Sequence, residues 1–168
     1  MSVRMKWRLV LFVLGVSSLS ACGQPSFDQK LESMYQQTVP LIKSAALDSL
    51  QRQRPVVLLD TRTPEEYAVS HLPHARFVDY NTFEASDLSD VEKEAEVVVY
   101  CSVGYRSERV GEALQKAGYR NVQNLYGGIF AWKNAGNTVV NQREQPTDSV
   151  HTYNRTWSKW LKHGTKVW

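Results

Sequence analysis

A chain of 168 residues, 42% hydrophobic and 22% charged, has room for one domain with a real core plus extensions. Its net charge of +3 does not point to nucleic acid. Arg4, Lys6 and Arg8 stand in an acid-free stretch, residues 1–21, and beyond it 17 Lys and Arg meet 17 Asp and Glu. Those first residues pair a basic start with the apolar run Leu9–Leu19, eleven residues, where a membrane-spanning helix needs about 20. They read as a signal peptide, with the cleavage side at Cys22. Gly23–Lys30 reads as a polar tether and Leu31–Gln37 as a short helix. Val39–Ile42 suits an edge strand, where Pro40 is tolerated. Ser44 is placed to cap a helix from Ala45 to about Arg52. Val56–Leu59, four apolar residues in a row, has the pattern of a parallel strand buried on both faces. Pro64 opens a helix with Glu65 and Glu66 in its first turn. A short strand at Arg76–Val78 and an acidic, looped stretch Phe83–Glu94 follow.

The stretch Glu96–Gly118 carries the chemistry. Its apolar run Val97–Tyr100 ends at Cys101, a six-residue turn runs to Arg106, and a helix is predicted to open at Ser107. In that helix Val110, Ala113, Leu114 and Ala117 fall on one stripe, and Gly118 stops it. A buried strand thus delivers one thiol to a helix N-terminus, where unpaired N–H groups and the helix dipole favour a thiolate and an anion beside it. Arg106 adds a permanent cation with a planar fork of donors. A strand at Val122–Leu125 and a short helix near Ile129–Asn134 come next. Strands alternate with helices, which predicts an α/β domain on a parallel sheet. In the tail, Tyr153, Trp157, Trp160 and Leu161 lie at helical spacing and predict an amphipathic helix packed on the domain, or else an interface for a partner or membrane.

Cys101-Ser102-Val103-Gly104-Tyr105-Arg106-Ser107 resembles the active-site loop CxxGxRS of rhodanese-like sulfurtransferases. Leu58-Leu59-Asp60-Thr61-Arg62 resembles that family's LLDVR strand end, Ser70–Ala75 its GHIPGA, and Gly127–Trp132 its GGxxAW. Four motifs in the family's order extend the likeness over residues 39–136. It implies a rhodanese-like domain over residues 38–136, with helices on both faces of a mostly parallel sheet, preceded by a tether (22–37) and followed by an extension (137–168). Ser70 and His74 stand where the family usually has glycine.

The resemblance implies sulfur transfer through a persulfide on Cys101. The thiolate attacks the outer sulfur of thiosulfate or a persulfide, and a thiol, a protein sulfur acceptor or cyanide then removes that sulfur. The backbone N–H groups of Ser102, Val103, Gly104, Tyr105, Arg106 and Ser107 are expected to hold the persulfide, with Arg106 holding the donor's oxyanion. Gly104 lets the turn curl inward, and Ser107 is expected to cap the helix. Asp60 and Arg62 end a strand on the same edge of the sheet. They are expected to support the loop from beneath, Arg62 through an ion pair with Glu66 or another nearby acid. No cofactor is implied. His71 and His74 have a metal-like H-x2-H spacing but no second ligand pair, so no metal is expected.

Two rival chemistries fit less well. Cysteine-dependent phosphatases use C-x5-R, one residue longer than the C-x4-R of Cys101–Arg106, and mercaptopyruvate-type sulfurtransferases resemble CG[ST]GVT. The alternative of another class is a non-catalytic rhodanese-like binding module in the cell envelope. Leu19-Ser20-Ala21-Cys22 resembles the lipobox of bacterial lipoprotein precursors, which implies lipidation at Cys22 and a protein anchored on a membrane, facing the periplasm. Gly23, in place of the Asp that retains enteric lipoproteins at the inner membrane, favours the outer one. Cys101 would then be the only free thiol and cannot be half of an internal disulfide.

Overall fold

A computed structural model describes residues 24–168; the expected signal peptide and the lipobox-like stretch with Cys22 lie outside the described residues. Five parallel strands form the central sheet: β1 (Leu41–Ile42), β2 (Val56–Asp60), β3 (Arg76–Phe77), β4 (Glu96–Tyr100) and β5 (Asn121–Leu125). Their order is β1-β5-β4-β2-β3, which places β4, the strand of the apolar run, at the centre. Period-two alternation divides that run between two cores. Val97 and Val99 face Val110, Leu114 and Val122, while Val98 and Tyr100 face Leu58, Ile129 and Phe130. The domain is α/β with helices on both faces, as the alternation of elements predicts.

Helix α1 (Phe27–Glu32) starts four residues earlier than the predicted helix at Leu31, because Ser26 and Gln29 form a capping box. In α2 (Ser44–Gln53), Ser44 is the first helical residue and not the cap; Lys43 precedes it with no side-chain capping bond. In α3 (Pro64–Val69), Pro64 sits in the first turn and Thr63 caps it, in a capping box with Glu66. The acidic stretch holds one 3-10 turn, Ala85–Leu88. Helix α4 (Tyr105–Lys116) opens two residues before Ser107, and α5 (Gly128–Asn134) follows β5. His74, at a family glycine position, adopts φ 62°, the left-handed region, whereas Ser70 is extended at φ −170° and needs no glycine.

The tail is not one amphipathic helix. It forms β6 (Val139–Val140), β7 (Pro146–Thr147), β8 (Ser149–His151), the single turn α6 (Arg155–Ser158) and β9 (Thr165–Val167). β6 pairs antiparallel with β7, and β8 parallel with β9. Tyr153 breaks any helix at φ 63°. Trp160 and Leu161 are nevertheless buried in the core with Phe27, Val139 and Val150, so their apolar spacing is met by one turn and the loop after it.

Candidate active site

β2 and β4 run in register, Asp60 beside Tyr100, so their carboxyl ends are level and Cys101 follows immediately at the sheet's edge. The next turn is shorter than expected because α4 begins at Tyr105, capped by Gly104 at φ 97°. That left-handed residue turns the chain back so that its N–H donates to Cys101 Sγ at 3.1 Å. A Cβ on Gly104 would also collide with Tyr35 Oη.

The loop is clamped from three directions. The first N–H groups of α5, at Ile129 and Phe130, donate to Cys101 O (3.0 Å) and Ser102 O (3.2 Å). Gly128 must be glycine there, because at φ 53° a side chain would strike Cys101 O. The Tyr35 hydroxyl donates to Val103 O at 2.6 Å and accepts from Gly127 N at 2.8 Å. Asn124 of β5 donates to Gly104 O at 2.8 Å and accepts the Ser107 hydroxyl at 2.7 Å. Ser107 is therefore a buried strut inside α4, not its cap.

Burial pushes the Cys101 thiol up, but the nearby Arg106 guanidinium outweighs it together with the N–H groups of Ser107, Val103 and Gly104. The thiol lies below its ordinary range and is a thiolate over more of the neutral pH range. Only 1% of Cys101 is exposed, yet its residue lines a cavity of about 340 Å³ whose far wall is Met34, Tyr105, Tyr153 and Trp157.

Arg106 does not stand free over this cavity. Its Nη1 and Nη2 pair with the two oxygens of Glu66 at 2.7 and 2.8 Å, and Nη2 also reaches Ser102 Oγ at 3.1 Å. Ser102 Oγ donates to Glu66 as well, at 2.8 Å. Burial pushes the Glu66 carboxyl up, but Arg106, the Thr63 N–H and Arg62 hold it down at about 2. Glu66 is thus a charged floor to the site, 1% exposed, where the sequence reading names it as a first-turn acid and a candidate partner of Arg62, not of Arg106. The signal was there in Thr63-x-x-Glu66, the capping box that aims this carboxylate inward. Nothing in the sequence marks Tyr35 or Asn124, and Tyr153 and Trp157 read there only as part of a tail helix or interface, not as walls of this site.

Arg62, expected to pair with Glu66 or another nearby acid, takes Asp60. Both are fully buried, Nε and Nη2 reach the two carboxylate oxygens at 2.9 and 2.7 Å, and Nη2 also donates to Ser70 O. They lie beneath the loop and tie β2 to the start of the Ser70–Ala75 turn. His71 is buried with Nδ1 3.1 Å from Tyr67 O and Nε2 2.9 Å from Glu144 Oε1, stacked on the Tyr67 ring. Among the described residues, no three His, Cys, Asp or Glu side chains converge as a metal site.

Comparison with known proteins agrees with this geometry. The family model described as "Rhodanese-like domain" matches residues 44–135. The chain is 38% identical over 85 residues to a sulfurtransferase of Allochromatium vinosum, across 51% of this chain and 78% of that protein. It is 32% identical over 110 residues to the uncharacterized protein slr1261 of Synechocystis sp., across 66% of this chain; it spans 61% of that protein, less than two thirds of its length. The solution structure of the rhodanese-like domain from the Anabaena sp. Alr3790 protein matches with a TM-score of 0.56 at 26% identity, across 61% of this chain and 79% of that one. Met34, Tyr153 and Trp157, on the far wall of the cavity, lie outside the matched family range.

Proposed function

Because the chain belongs to the rhodanese-like family, we propose that it is a sulfurtransferase working through a persulfide on Cys101. The thiolate attacks the outer sulfur of thiosulfate or a persulfide, the S–S bond breaks, and sulfite or a thiolate leaves with the electron pair. A thiol, a protein sulfur acceptor or cyanide then attacks the terminal sulfur and returns Cys101 to the thiolate. The observation that carries this reading is the position of Cys101 Sγ at the base of an open cavity, 3.1 Å from the Gly104 N–H, with its thiol lowered by Arg106. Those N–H groups can follow the charge from thiolate to persulfide without rearranging. Arg106 presents to the donor only the edge of its guanidinium that Glu66 leaves open.

We further propose, from the lipobox resemblance, that the mature chain is anchored on a membrane by lipid at Cys22 and faces the periplasm, with the outer membrane preferred by Gly23.

The test is intact mass after exposure to thiosulfate. Wild type should gain one sulfur atom, cyanide should remove it, and Cys101→Ser should gain none. A folded wild type whose mass is unchanged by thiosulfate and by a persulfide donor would leave the binding-module alternative in place of the enzyme.

A further inference from the structure

The cavity before Cys101 is both larger and more apolar than one inorganic sulfur anion requires. At about 340 Å³ it falls in the range of sites for small organic ligands. Its cation is already neutralised, since both oxygens of buried Glu66 are held by Arg106. A thiosulfate dianion here would share Arg106 with that carboxylate and give up water to apolar side chains. Apart from Tyr105, the far wall comes from the two extensions and not from the matched family range: Met34 follows α1, while Tyr153 and Trp157 belong to the tail. Tyr153 is held at φ 63°, a conformation a tyrosine rarely adopts, and this brings its ring 5.7 Å from the Arg106 guanidinium. It stays 57% exposed, an aromatic face left open at the cavity mouth. Met34 supplies an adaptable thioether wall and Trp157 a wide rigid one.

We propose that the preferred sulfur donor is organic, a persulfide or thiosulfonate whose aromatic or alkyl body lies among Tyr153, Trp157 and Met34 while its outer sulfur meets Cys101. The proposal rests on the sulfurtransferase reading and specifies its substrate. With a hydropersulfide R–S–SH, the Cys101 thiolate bonds to the outer sulfur, the S–S bond breaks, and the electron pair leaves as R–S⁻. With a thiosulfonate R–SO₂–S⁻, the outer sulfur stays on Cys101 as the persulfide anion and the sulfinate R–SO₂⁻ leaves. Neither step needs an oxidant or a reductant.

Benzenethiosulfonate and methanethiosulfonate carry the same reacting group and charge and differ in the apolar body. The measurement is kcat/KM for these two and for thiosulfate, with cyanide as common acceptor, each divided by the donor's rate with free cysteine. Wild type should favour the benzene compound over the methane compound by at least about tenfold, well within what burying a ring supplies. Tyr153→Ala and Trp157→Ala should each lower that ratio several-fold, and Tyr153→Phe should keep it. A wild-type ratio near one, or a ratio that neither alanine variant moves, overturns the proposal. If thiosulfate still loads Cys101 in that case, the sulfurtransferase reading survives; if no donor loads Cys101, both fall together.

Discussion

Glu66 and Arg106 are each placed to set the chemistry of the other. The carboxylate holds the guanidinium through both oxygens, and the guanidinium holds the Cys101 thiol low. In Arg106→Ala, burial of Cys101 acts without its opposing cation. The rising limb of the pH–rate profile should then move to higher pH, and kcat/KM near neutrality should fall by roughly ten- to a hundredfold. The same substitution leaves a buried carboxylate without its cation and should cost about 3 kcal/mol of stability near neutral pH. Its pH dependence follows from the folded value of about 2 against the ordinary 4.5: the stabilisation by Glu66 is complete above pH 4.5 and is lost as pH falls through 2. Thermal melts of wild type and variant should therefore differ most above pH 4.5 and converge toward pH 2. A gap that does not change with pH would mean that the charge on Glu66 is not what the substitution leaves unpaired.

Between elements, the decisive contacts hold the loop and not the substrate. The N-terminus of α5 takes two loop carbonyls, β5 reaches in through Asn124, and Tyr35 bridges Val103 O to Gly127 N with one hydroxyl. Burial pushes the Tyr35 phenol well above its ordinary range, so it stays neutral and can both donate and accept. In Tyr35→Phe two buried backbone groups lose their partner, which should cost about 1–3 kcal/mol in urea unfolding. The Gly104 N–H should also hold the thiolate less firmly, so persulfide formation slows in the same variant. Unchanged stability and unchanged rate would remove the segment after α1 from the site's support.

Seen whole, the molecule is a family domain wrapped at one end by segments the family match does not cover. Val139, Val140, Val150, Trp160 and Leu161 add to the buried core from the tail, each worth about 1.5–3 kcal/mol of burial. That makes the tail integral to a domain whose net stability is only about 5–15 kcal/mol. Among the described residues no helix is long and apolar enough to cross a membrane; the proposed anchoring is through lipid at Cys22. Residues 23–26 reach at most about 14 Å before α1, which would hold the domain close to the lipid surface. Wild type should fractionate with membranes, resist salt and yield to detergent, while Cys22→Ala should be found soluble after export or as uncleaved precursor. Wild type found soluble in the cytoplasm with Met1 intact would overturn the location.

What the sequence determined by itself was whatever short windows encode. Three consecutive valines and a tyrosine placed β4, and the residue after it placed Cys101 at the sheet's edge, because period and apolar run length need no distant partner. The order of strands and helices, and so the α/β class, followed from the same local patterns. Local signals unread still had local form: Ser26 with Gln29 shifts α1, and Thr63 with Glu66 aims a carboxylate at the site. The tertiary structure alone decided the rest. Glu66 meets Arg106 across 40 residues and Tyr35 meets Gly127 across 92, and which acid takes which arginine depends on the two charges being buried side by side. The tail's four apolar residues were consistent with a helix in isolation. Once Trp160 and Leu161 could be buried against Phe27 and Val150, packing outweighed the weak preference of a short helix, and left Tyr153 turned toward the thiol's cavity.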